Sequence, residues 1–100
     1  MAVTVHGGVS GFQVETETNQ QQLSVHARSN QKLSPAGLRA VVAALNTYYG
    51  STLSAAQKAA MPDFTCTVSA GLISCYAAPG TEATLASALI TAIGSNTVRG

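Results

Sequence analysis

One hundred residues carry five cationic and four acidic side chains, a net charge of +1, while 46% of the chain is hydrophobic. The charged share is about a third of the usual one, which excludes both the basic footprint of a nucleic-acid or anionic-membrane binder and the charge-rich, apolar-poor signature of disorder. The length suits a single domain over 1–100 that buries its own core, and no run approaches the roughly twenty apolar residues of a membrane-spanning helix.

In chain order, residues 1–11 form a leading segment, with a short strand at Val3 to His6 and Gly7-Gly8 as the loop after it. From Phe12 to Arg28 the alternation predicts a hairpin. Phe12, Val14 and Thr16 share one face with Leu23, Val25 and Ala27, while Gln13, Glu15, Glu17, Ser24 and His26 share the other, and Asn19-Gln20 is the turn. Ser34 then caps a helix with Pro35 at its first position. Leu38, Val41, Val42, Leu45 and Tyr49 recur at helical spacing until Gly50, so that 12–50 is a hairpin plus a helix.

A connector, 51–63, carries Ser54 and Gln57 in the spacing of a capping box, which predicts a short Ala-rich helix over 55–60 stopped at Met61-Pro62. A second hairpin plus helix fills 64–94. Phe64, Cys66 and Val68 face Ala77, Cys75 and Ile73, and after Pro79-Gly80 a helix capped by Thr81 presents Leu85, Ala86, Leu89, Ile90 and Ile93 as one stripe ending at Gly94. Residues 95–100 read as a frayed tail. The order (β)ββαββα implies an α+β two-layer sandwich: an antiparallel sheet of four or five strands with two helices on one face.

The cysteines are the most informative pair. If Ala70-Gly71 is a two-residue turn, Ser69 pairs with Leu72, Val68 with Ile73, Thr67 with Ser74 and Cys66 with Cys75. The last is a non-hydrogen-bonded pair with Cα atoms about 4.5 Å apart, within disulfide reach. A three-residue loop would instead set Cys66 opposite Ser74 and mix polar with apolar residues on each face. A bridge across the two-residue turn would stabilise the fold by roughly 2 to 3 kcal/mol and imply a compartment more oxidising than cytosol.

No catalytic or metal motif stands out. His6-Gly7-Gly8 has the form of the oxyanion loop of lipases, but the chain has no G-x-S-x-G elbow to go with it. The pattern separates His26 from Cys66 and Cys75 onto opposite faces, which speaks against a Cys/His nucleophile. The cysteine spacing lacks the zinc knuckle, and the histidines lack a spaced partner. Glu15 and Glu17, about 7 Å apart along a strand, keep an exposed face solvated. The expectation is therefore no enzyme, no cofactor and no metal.

Interface candidates are the aromatic residues Tyr48, Tyr49 and Tyr76, and the small neutral outer positions of the last helix, Thr84, Ser87 and Thr91, flanked by Ala88 and Ala92. These residues imply a protein-interaction or assembly module that binds a protein partner or a second copy of itself, with no nucleic acid and no membrane span. Two settings follow if Cys66 and Cys75 are oxidised: a small virion component, or an extracytoplasmic envelope domain. With reduced thiols the reading becomes a small cytoplasmic regulator or inhibitor of a protein partner. A small-molecule site between sheet and helices would need a convergent polar group inside, for which only Thr16 is available. The N-terminus shows no secretion-signal pattern, which leaves cytosolic retention, a mature fragment or a virion route as expectations.

Overall fold

The computed structural model describes residues 3–9, 11–17, 22–27, 30–61 and 66–99. Five antiparallel strands form the main sheet in the order β1-β2-β3-β6-β5: β1 (Val3–Val9), β2 (Phe12–Glu17), β3 (Gln22–Ala27), β6 (Leu72–Tyr76) and β5 (Thr67–Val68). The helices α1 (Pro35–Thr47) and α3 (Glu82–Ile93) pack against one another on one face, with α3 over β1 and β2. This is the expected α+β two-layer architecture. The turn expected at Asn19-Gln20 and the strand start at Phe64 lie outside the described residues, as does Arg28.

Period-two patterning sets the sheet. Phe12, Val14, Thr16, Leu23, Val25, Ile73 and Cys75 are all buried under the helices, whereas Gln13, Glu15, Ser24, His26, Leu72, Ser74 and Tyr76 turn to the open face. Polar side chains tie that face together: Gln22 Nε2 donates to Ser74 Oγ at 2.7 Å, and the carboxylate of Glu15 lies 3.4 Å from His26 Nε2.

Several expectations need correction. Gly7 and Gly8 do not form a loop; they continue β1 to Val9, and the register slips between Val5 and Gly7 to leave a β-bulge at His6. Gly7 adopts φ 129°, a region that L side chains rarely enter, so the bulge needs glycine there. The bulge turns the His6 ring to hydrogen-bond Thr16 Oγ1 from beside the core.

The tail is not frayed either. Thr97–Arg99 forms β7, which pairs antiparallel with β4 (Gln31–Leu33) as a second, two-stranded sheet. Neither strand is long enough to show alternation; each exists because the other is brought beside it. Ser34 links this ribbon to α1, because its hydroxyl caps Gly37 N at 3.1 Å and donates to Asn96 O at 3.0 Å. Asn96 comes so near that a Cβ on Gly37 would lie 2.4 Å from its carbonyl oxygen.

That contact rotates α1 away from the expected stripe. The buried line runs Gly37, Val41, Leu45 and then Tyr48, while Val42 is 44% exposed. At its end α1 widens into one π-turn, Tyr48–Thr52, closed by the Leu53 N–H donating to Tyr48 O at 3.1 Å. The short helix α2 (Ala55–Ala59) follows with both halves of the Ser54/Gln57 capping box made. Thr81 does occupy the position before α3, but its side chain does not cap the helix; the hydroxyl turns inward to donate to Ala78 O.

Candidate interaction surface

The outer face of the helix layer holds a groove of about 470 Å³ between α1 and α3. Thr84, Ser87 and Thr91, together with Ala88 and Ala92, form its α3 wall, and Ala43, Ala44 and Thr47 form the α1 wall. Helical spacing explains the assembly: Leu85, Ala86, Leu89 and Ile93 are buried, so the residues between them point outward. None of the ten lining residues is charged. A shallower depression of about 340 Å³ lies across α1, bordered by Leu38, Arg39, Val42 and Asn46. Ala43 borders both, and the residues of the second hollow all belong to α1, so the exposed face of α1 forms one bank of the groove.

The aromatic candidates sit elsewhere than on an open surface. Tyr48 is 1% exposed; its hydroxyl accepts from Ala78 N at 2.9 Å and meets Thr81 Oγ1, pinning the end of α1 to the loop before α3. Its ring reaches the floor of the groove. Tyr49 stacks edge-on against Tyr48, with ring centroids 4.9 Å apart, and reaches the end of β6. There its hydroxyl donates to Tyr76 O, accepts from Tyr76 N at 3.2 Å and lies 3.5 Å from Cys66 Sγ. Burial first, and then the Cys66 thiol, raise the Tyr49 phenol above its ordinary range. Tyr76 lies half-buried on the open face of the sheet.

The cysteine hairpin has the expected register. Val68 pairs with Ile73 and Thr67 with Ser74, and Ser69 N donates to Leu72 O at 2.9 Å, which closes a two-residue turn at Ala70-Gly71. Carried one pair outward, this register sets Cys66 across from Cys75. Cys75 is fully buried beside Leu23, and Cys66 packs against the core from the partly exposed end of the hairpin. The expected bridge is not present: both cysteines are free thiols in this structure. Burial, reinforced by the neighbouring Cys66, pushes the Cys75 thiol up to about 12.

Among the described residues, His6, His26 and Cys66 do not converge. His6 bonds Thr16, His26 faces Glu15 and Cys66 meets Tyr49, three separate partners. Among the described residues no three His, Cys, Asp or Glu side chains come close enough to hold a metal ion, and no helix is long and apolar enough to cross a membrane. Thr16 is the buried polar group anticipated for an interior site, but its hydroxyl is engaged by His6 rather than aimed at an empty space.

Sequence reasoning missed the pairing of Tyr49 with Cys66. Its only trace was the Tyr48-Tyr49 doublet at the helix end, and the π-turn decides which ring goes where. No family model matches this chain, and neither a curated protein nor a solved structure matches it.

Proposed function

We propose that this protein is a non-enzymatic interaction and assembly module that associates with a second copy of itself through the outer face of α1 and α3. The observation that carries the reading is the uncharged groove beside the exposed bank of α1. A bank and a groove on the same face are what a two-fold interface needs, because each copy then inserts its bank into the other's groove. An uncharged groove costs less to desolvate than a charged one, and the Arg39 cation lies outside it at the second hollow. A stable pair would bury roughly 800 Å² per copy, a modest share of the 5332 Å² surface. Lack of charge also removes long-range steering, so association is slow and nearly independent of salt.

Sedimentation at high micromolar concentration tests this. The expected result is a dimer or larger assembly for the parent protein and a monomer for Ser87→Lys, with equal melting temperatures only at dilution where the parent too is monomeric, because Ser87 is exposed. A clean parent monomer would overturn the reading.

The cellular setting depends on the cysteines. The cross-strand register supports bridging of Cys66 and Cys75, and a bridged protein would work as a virion component or as an extracytoplasmic envelope domain. Intact mass before and after reduction tests this. A gain of two hydrogens supports the bridge, whereas no change places the protein with reduced-thiol regulators of the cytoplasm.

A further inference from the structure

We infer that Cys66 and Cys75 form an asymmetric redox site in which Cys66 is the entry thiol for a small disulfide and Cys75 the resolving thiol, with Tyr49 positioning the Cys66 sulfur. The inference rests on the bridging capacity proposed above and adds an order of events.

The hairpin geometry makes the two thiols unequal. Cys75 is fully buried between Leu23 on one neighbouring strand and the Cys66 position on the other. A dissolved disulfide cannot reach it. Cys66 lies at the open end of the same hairpin, one residue beyond the last ladder pair, and is partly exposed. Exchange needs a thiolate with access to the sulfur it attacks, and Cys66 alone meets the access condition.

Tyr49 supplies the second constraint. Its phenol proton goes to Tyr76 O, so toward Cys66 its oxygen acts as acceptor and the thiol as donor. The same oxygen accepts from Tyr76 N, the residue after Cys75. One hydroxyl therefore holds the Cys66 sulfur next to the segment that carries the resolving thiol.

With oxidised glutathione as the small disulfide, the chemistry closes in two exchanges. The Cys66 thiolate attacks one glutathione sulfur, the S–S bond breaks, and one glutathione leaves as thiolate with the electron pair, giving a mixed disulfide. Cys75 then attacks the Cys66 sulfur as its proton passes to the departing glutathione sulfur, so the Cys66–glutathione bond breaks and the second glutathione leaves as the thiol. Two protein thiols are oxidised and one disulfide is reduced to two thiols. The product bridge has lost the Cys66 S–H, so oxidation also deletes one donor from Tyr49 while both of its bonds to Tyr76 remain.

The test uses the full chain with oxidised glutathione and intact-mass detection. In the parent, an intramolecular bridge is expected; if none forms, the bridging capacity itself fails. In Cys75→Ser, Cys66 should accumulate one glutathione adduct, while Cys66→Ser should be modified more slowly by at least roughly tenfold when native and at a comparable rate when unfolded. If the parent bridges but native Cys66→Ser is modified as fast as Cys75→Ser, bridging stands and the assigned order is wrong. Tyr49→Phe in the Cys75→Ser background should change the adduct rate while the rate in denaturant stays the same. An unchanged native rate would remove Tyr49 from the site.

Discussion

Substituting Gly37 by alanine tests the least expected contact in the fold. In an ordinary helix this change stabilises, because alanine is favoured over glycine by about 1 kcal/mol. Here the new Cβ would sit 2.4 Å from Asn96 O, 3.1 Å from Asn96 Cβ and 3.3 Å from Leu33 Cδ2. The nearest atom is backbone, and it belongs to a residue whose carbonyl also accepts from Ser34 N and Ser34 Oγ, so it cannot swing aside freely. Overpacking of this kind costs typically 1 to 3 kcal/mol, and it forces either α1 outward or β7 off β4. After the propensity gain, a net loss of up to roughly 2 kcal/mol remains, which for a domain of this size lowers the melting temperature by up to roughly 16 °C. Gly50 is the control, because nothing lies within 4 Å of a Cβ there. Gly50→Ala should be neutral or stabilising by up to about 1 kcal/mol. The assay is thermal unfolding followed by far-UV circular dichroism, with Gly37→Ala, Gly50→Ala and the parent side by side. If Gly37→Ala melts above the parent temperature, the close approach of Asn96 to α1 is wrong, and with it the rotation that buries Tyr48 in place of Tyr49.

Tyr48→Phe leaves the buried Ala78 N–H without its acceptor and should cost about 1 to 3 kcal/mol in urea unfolding, with the m-value unchanged. Ser34→Ala removes the α1 cap and the bond to Asn96 O, for a loss of about 1 to 2 kcal/mol in the same assay. Glu15→Gln, which removes the ion pair with His26 and alters the acceptor for Gln13 Nε2, should shift stability by no more than about 1 kcal/mol. Cys75 titrates near 12 when folded and at 9.0 without the burial. Above pH 9 the unfolded chain therefore gives up a proton that the native chain keeps, and stability should fall as pH climbs toward 12. Cys75→Ala should flatten that decline, and an equally steep decline in the variant would show that Cys75 is not the group responsible.

Much of the sheet was legible because period-two burial is a local property. Phe12, Val14 and Thr16 face the core for the same reason that Gln13 and Glu15 do not, and the Cys66/Cys75 register follows from symmetry about a two-residue turn. The helix bounds were legible from Ser34-Pro35 and from Gly94, whose chemistry acts within a few residues. The alternation rule failed at Gly7-Gly8, because glycines without side chains carry no pattern and a bulge uses what a loop would also use. Of the candidate interface, the outward set Thr84, Ser87 and Thr91 could be read from the spacing of Leu85 and Leu89, but the facing wall on α1 could not.

By itself, then, the amino-acid order determined which faces are apolar, where the helices begin, where the last one stops, and the register of the hairpin around Ala70-Gly71, since each depends on neighbours within about ten positions. Only the folded chain decided that the last residues pair with 31–33, that α1 turns Tyr48 rather than Tyr49 inward, and that the two helices leave a groove between them. Those outcomes arise from contacts between segments distant in sequence, such as Asn96 against Gly37 and Tyr48 against Ala78. Close packing sets their geometry, and no local pattern encodes it.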